Sequence, residues 1–273
     1  MNRTTLINHI LEKKSYLCVG LDPDFNQLPF SFAHTPSDLL KFNKYIIDCT
    51  KDSCVAFKPN FAFYETMGYA GWEVLQETID YIPSTHFIIA DAKRGDIGNT
   101  SGNYAHAVFN HLKADAITVA PYMGSDSVIP FYNYKEKWVV ILGLTSNPGS
   151  KDFQFLTLET GEKLYQKVIK EAKNWGNESN TMFVVGATHP NELVEIRQII
   201  PNHFLLIPGV GAQGGNLEEI SKYGLIKEVG LLVNAGRSII FASKGNDFEK
   251  AAALEANKMH LEMKEYLEKY DIA

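Results

Sequence analysis

Short apolar runs alternate along the chain with longer stretches in which apolar residues recur every three to four positions. The first pattern predicts strands and the second predicts amphipathic helices. Eight strands are expected, at 16–21, 54–58, 86–91, 116–120, 138–144, 182–187, 204–208 and 231–234. Most are apolar throughout rather than alternating, as parallel strands covered on both faces should be. Helical patterns fill the intervals. Thr35 is placed to cap one helix with Pro36 at its first position, and Leu39, Phe42, Ile46 and Cys49 then fall on one face. Thr188 with His189-Pro190 begins another, whose Leu193, Ile196 and Ile200 share a stripe. A helix near 5–14 precedes the first strand and another near 248–270 follows the last. Eight strand–helix units predict an α/β fold, a (β/α)8 TIM barrel, as one domain over residues 1–273. A doubly wound open sheet is the alternative, because alternation alone does not establish closure. The longest irregular stretch, 146–160, follows the fifth strand and reads as a lid, a binding loop or a variable surface loop.

Composition narrows this little. The 273 residues sit close to the ~250 typical of such a barrel. Hydrophobic residues make up 45% and charged residues 21%, as in an ordinary globular protein. The net charge of −6 and the lack of a basic block give no reason to expect nucleic acid, although a local cluster could still hold a small anion. Three cysteines without regular spacing do not form a disulfide framework, and Cys18 and Cys54 lie in apolar runs. No Cys/His spacing resembles a zinc site, and no metal is expected. No apolar run approaches the ~20 residues of a membrane span, so a cytoplasmic location is the expectation.

The chemistry is concentrated at the carboxyl ends of the expected strands, where barrel active sites lie. Charged side chains fall at four of these ends: Asp22 after the first, Lys58 at the second, Asp91 with Lys93 at the third, and Arg237 after the eighth. Asp91 and Lys93, two apart on a strand, point to the same side, and Lys58 on the next strand can join them. Asp96, past the turn through Gly95, can supply a second carboxylate to make an alternating array. A buried salt-bridge network with a structural role is the competing reading, but such networks seldom improve on an apolar core. Gly209, Gly211, Gly214 and Gly215 follow the seventh strand, where barrels often bind phosphate. Gln213 and Arg237 would complete a monophosphate site there. His86 and His203 precede strands, at the opposite end, and His106 and His111 lie on a helix. His189 can reach the rim but has no evident ligand partner, and 61–64 reads as helix packing.

The run Asp91-Ala92-Lys93-Arg94-Gly95-Asp96-Ile97-Gly98-Asn99-Thr100 resembles the signature of the orotidine 5'-phosphate decarboxylase family. Phe57-Lys58-Pro59-Asn60, Gly20-Leu21-Asp22-Pro23, the run 209–215 and Gly236-Arg237-Ser238 match its other motifs, in family order over nearly the whole chain. The Phe-Lys-Pro-Asn form and the long loop after the fifth strand are similar to a bacterial branch with longer chains. The resemblance implies cofactor-free decarboxylation of orotidine 5'-monophosphate to uridine 5'-monophosphate in pyrimidine biosynthesis. It implies that Lys93 donates the proton and that Asp91, Lys58 and Asp96 hold it charged and aimed. It implies a homodimer in which Asp96, Ile97 and Thr100 enter the partner's site. Asp22 and Lys58 would bind ribose, Ser146 the pyrimidine, and Pro208, Gln213, Gly236 and Arg237 the phosphate end.

Two other functions share the barrel. A metal-dependent sugar-phosphate decarboxylase or aldol-type synthase carries a similar Asp-x-Lys-x-x-Asp run, but Lys58 at the second strand end would repel its cation. A non-catalytic phosphate-ligand sensor would need neither the full charged array nor its placement at one rim.

Overall fold

The eight apolar runs become eight parallel strands that close into a barrel in chain order. The computed structural model describes residues 1–188, 190–210 and 215–272. The strands are β1 (Leu17–Leu21), β2 (Ala56–Pro59), β3 (Phe87–Arg94), β4 (Ala116–Val119), β5 (Trp138–Leu144), β6 (Thr181–Val185), β7 (Phe204–Pro208) and β8 (Leu231–Ala235). Closure comes from β1 pairing with both β2 and β8, through Cys18 opposite Ala56 and Asn234. The open-sheet alternative is thereby excluded. The fold is a TIM barrel flanked by an N-terminal helix, α1 (Arg3–Lys13), and a C-terminal helix, Phe248–Lys269.

Local sequence sets the helix ends as expected. In α2 (Pro36–Thr50) the Thr35 side chain accepts from the Asp38 amide while the Asp38 carboxylate accepts from the Thr35 amide, a reciprocal cap worth about 1 kcal/mol. Leu39, Phe42 and Ile46 are fully buried beneath it, and Phe42 meets Phe248 of the C-terminal helix at 5.8 Å between ring centroids. Leu193, Ile196 and Ile200 are buried in and just after the helix Pro190–Ile199. His189 lies outside the described residues. The stretch 61–64 does pack as helix, with Phe61 and Tyr64 buried in α3 (Phe61–Glu65). Cys18 and Cys54 are buried free thiols, and burial pushes Cys18 up to about 12, which leaves it unreactive. Among the described residues no helix is long and apolar enough to cross a membrane.

The N-terminal end of the barrel is sealed by polar groups reaching backbone carbonyls just ahead of the strands. Arg3 donates to the carbonyls of Glu178 and Asn202 and pairs with Glu228, ahead of β6, β7 and β8. Lys13 donates to the carbonyls of Lys51 and Cys54, ahead of β2, and meets His86 Nε2 at 3.1 Å, ahead of β3. The Met1 ammonium pairs with Asp115, ahead of β4. Half-buried Arg197 spends its guanidinium on the carbonyls of His203, Gly224 and Gly230. Each of these carbonyls would otherwise be an unsatisfied group, costing about 1–3 kcal/mol if buried. With α1 laid across this end, the opposite mouth is the one left open for chemistry.

Burial at the sealed end pushes His86 and His203 down from 6.5 to about 4. Unfolded histidines bind a proton near 6.5, so between there and about 4 the unfolded chain holds more protons, and stability falls as pH falls. Urea unfolding across this window should show a slope of up to about 1.4 kcal/mol per pH unit for each histidine, less what residual solvent exposure screens. His203→Gln should flatten the slope. A wild-type slope unchanged by that substitution would mean His203 is not held neutral.

Candidate active site

At the open mouth the backbone of β3 departs from ideal geometry. Ala90 pairs with Ile117 and Arg94 with Val119, so four residue steps on β3 face two on β4. Within this bulge Lys93 takes a left-handed conformation, φ 46°, which costs a non-glycine residue roughly 1–2 kcal/mol. The strand therefore runs past the expected end at 91, and Asp91 and Lys93 do not simply alternate on a flat strand. They still meet: Lys93 Nζ lies 2.6 Å from Asp91 Oδ1. Bulges next to barrel rims commonly re-aim a side chain, and this one turns a half-exposed Lys93 toward the mouth.

Asp91 is the hub. Lys58, fully enclosed on β2, lies 2.6 Å from Asp91 Oδ2 and 3.9 Å from Asp22 Oδ1. Thr118 on β4 donates to Asp91 Oδ1 at 3.1 Å. Burial would push the Asp91 carboxyl up, but the Lys58 and Lys93 ammoniums outweigh it and hold Asp91 well below the usual carboxylate range. Burial likewise pulls Lys58 down, and Asp91 and Asp22 outweigh it and hold Lys58 above the usual ammonium range. The chain Asp22–Lys58–Asp91–Lys93 is thus ionised throughout its buried centre, with one cation left at its solvent end.

The other expected site residues are distributed around the same rim. Within one chain the charged array ends at Lys93: the Asp96 carboxylate accepts from the Ile97 amide at 2.8 Å and joins no ion pair among the described residues. Ile97 and Thr100 are exposed, Thr100 within the helix Gly98–His106. Ser146 is half-buried just after β5. Its neighbour Thr145 is held by Gln154, which accepts from the Thr145 amide and donates to its hydroxyl, both at 2.8 Å. The stretch 146–160 is accordingly not bare loop; it contains a short helix, Ser150–Phe153, and Thr157 bridges to Lys163. Pro208 ends β7, and Gly236 and exposed Arg237 follow β8. Gly209 takes φ 96°, and a side chain at Gly215 would strike Ala187. These two glycines are therefore required by the turn itself. Gln213, Gly211 and Gly214 lie outside the described residues.

Two polar residues of the mouth were not singled out from sequence. Thr118 interrupts the apolar strand Ala116-Ile117-Thr118-Val119 and is fully buried. Asn234 ends the apolar run of β8, lies beside Gly20 of the neighbouring strand β1, and carries an Oδ1 that is buried without a hydrogen-bond partner; Asp22 Oδ1 is likewise buried without one. A single polar residue in a fully buried strand is the signal that marks both. Among the described residues no three of His, Cys, Asp or Glu are grouped as a metal ion requires. A surface groove of about 710 Å³ along Lys170, Lys173 and Glu195 belongs to the outer helices and holds none of these residues.

Known proteins resemble this chain in sequence and in fold. Residues 15–253 match the profile described as the Orotidine 5'-phosphate decarboxylase / HUMPS family. Orotidine 5'-phosphate decarboxylase of Christiangramia forsetii is 53% identical over 273 residues, spanning 98% of this chain and 100% of that protein. The same enzyme of Bacteroides fragilis is 50% identical over 270 residues, spanning 98% of each. The solved OMP decarboxylase of Leishmania donovani superposes with a TM-score of 0.81 at 37% identity, covering 96% of this chain and 100% of that one.

Removing Lys58 leaves two carboxylates facing each other in a buried site. Lys58→Met should cost about 3–5 kcal/mol of stability, the usual penalty for orphaning a buried charge. Lys93→Met, which removes a half-exposed cation, should cost no more than about 1 kcal/mol. Denaturant unfolding of the two variants checks this. Equal costs would mean that Lys58 is not the cation that makes the buried carboxylates tolerable.

Proposed function

The chain belongs to the orotidine 5'-phosphate decarboxylase family and decarboxylates orotidine 5'-monophosphate in pyrimidine biosynthesis, and on that premise we propose that Lys93, held by Asp91, is the proton donor. The observation that carries this reading is the 2.6 Å contact between Lys93 Nζ and a buried Asp91 that Lys58 also grips. When carbon dioxide leaves, the electron pair of the broken bond stays on the ring carbon. A fixed ammonium beside that carbon stabilises the developing charge and then supplies the proton, giving uridine 5'-monophosphate and a neutral lysine that solvent reprotonates. A preorganised charge of this kind needs no reorganisation at the moment of bond breaking. The reaction then requires no metal or organic cofactor, and turnover survives exhaustive chelation.

Around Lys93, Asp22 and Lys58 bind the ribose hydroxyls, Ser146 contacts the pyrimidine, and Pro208, Gln213, Gly236 and Arg237 hold the phosphate end. Arg237 suits that role because it is exposed at the rim and joins no ion pair among the described residues. The binding energy of the remote phosphate is thereby available for the chemical step.

The proposed assembly is a cytoplasmic homodimer in which Asp96, Ile97 and Thr100 enter the partner's site. It is supported by an apolar rim beside the mouth, where Ile97, Met123 and Tyr122 are exposed, Tyr122 to 90%. It also gives the Asp96 carboxylate, which joins no ion pair among the described residues, a cation to meet.

Mixing Lys93→Ala and Asp96→Ala proteins tests both roles at once, with loss of the substrate's ultraviolet absorbance as readout. Each alone should be nearly inactive. After subunit exchange, a mixed dimer carries one doubly damaged site and one intact site, so roughly a quarter of all sites recover. An active Lys93→Ala protein would remove Lys93 from the chemistry. Verified exchange without recovery would remove Asp96 from the partner's site.

A further inference from the structure

The β3 bulge creates a problem that one hydroxyl solves. Ladder pairing with β4 passes from Ala90 directly to Arg94, so intervening amides that face β4 lose their regular partners. One of them belongs to Lys93, at φ 46°. Its N–H donates to Thr118 Oγ1 at 2.9 Å. The Thr118 hydroxyl in turn donates to Asp91 Oδ1 at 3.1 Å, and the same oxygen accepts Lys93 Nζ at 2.6 Å. A closed circuit results, from the Lys93 backbone through Thr118 and Asp91 to the Lys93 ammonium. Its direction is fixed. The amide can only donate, ionised Asp91 can only accept, and the hydroxyl has one proton to give. Thr118 is 1% exposed, so no water competes for it.

We propose that Thr118 is a positioning residue whose hydroxyl locks the backbone of Lys93 to the carboxylate that holds its ammonium. This rests on the reading of Lys93 as proton donor. The long, half-exposed lysine side chain has many rotamers, and Asp91 alone tethers only its tip. Thr118 tethers its root to the same oxygen, so root and tip are referred to one point. A misplacement on the order of 1 Å at a reacting group can cost about 100-fold in rate. Phosphate and ribose contacts lie elsewhere on the rim, so substrate binding should feel little of the loss.

The test compares Thr118→Val, which keeps the shape and loses the hydroxyl, with Thr118→Ser, which keeps the hydroxyl. Thr118→Ala, also without hydroxyl, repeats the first arm, and calorimetric binding of uridine 5'-monophosphate checks that each protein is folded. For Val and Ala, kcat should fall roughly 10- to 100-fold with KM and product affinity within about threefold of wild type, and Ser should stay within about threefold in kcat. Wild-type kcat in a folded Val or Ala variant would overturn the proposal, as would a Ser variant as slow as Val. Lys93→Ala run alongside separates the two levels. If it is inactive while Thr118→Val turns over normally, only the positioning role fails; if Lys93→Ala itself turns over normally, the reading beneath it fails.

Discussion

A carboxylate buried between two ammoniums is the interaction on which the rest of this molecule depends. Asp91 stands almost wholly out of water with Lys58 and Lys93 each 2.6 Å away. Alone, a carboxylate in that position would take up a proton. Between two cations it stays ionised, and in return it fixes both. The arrangement is poor value for stability, since well-packed apolar residues would serve a barrel mouth at least as well. Its retention makes sense as preorganised charge: Lys58 is consumed internally by Asp91 and Asp22, and Lys93 is the member of the chain that faces outward.

The barrel supports this by treating its two ends differently. At the amino end, Arg3, Lys13 and Arg197 satisfy carbonyls ahead of four of the eight strands, and burial holds His86 and His203 toward the neutral form. That end is sealed and serves stability. At the carboxyl end, the polar groups are left incompletely satisfied. Asp22 Oδ1 and Asn234 Oδ1 are buried without hydrogen-bond partners, and β3 accepts a bulge and a left-handed lysine. Strain and unmet hydrogen-bonding capacity collect where a ligand with hydroxyl groups would be received.

Much of this was legible in the sequence. Uninterrupted apolar runs marked the strands because parallel strands in a barrel are covered on both faces, and charges at their carboxyl ends stood out because a core excludes them. Asp22, Lys58, Asp91 and Lys93 were found together on that basis. What stayed hidden depended on register. The β3 bulge follows from how β3 and β4 pair, which no local pattern encodes, and it alone gives Thr118 its two partners. Thr118 and Asn234 are ordinary polar residues until their strands are closed into a ring. The placement of Asp96 differs for another reason: its carboxylate accepts from the Ile97 amide next to it, a local contact that sequence spacing does not reveal.

The central claim is that the Lys93 ammonium stands beside the carbon that loses its carboxylate. A crystal structure of the chain with uridine 5'-monophosphate bound measures this directly. The account predicts Lys93 Nζ within about 3–3.5 Å of that ring carbon, the spacing of a near-attack arrangement, with Asp91 still gripping the ammonium. A nucleotide seated with that carbon away from Lys93, or an ammonium turned out to solvent while the product is bound, would contradict it.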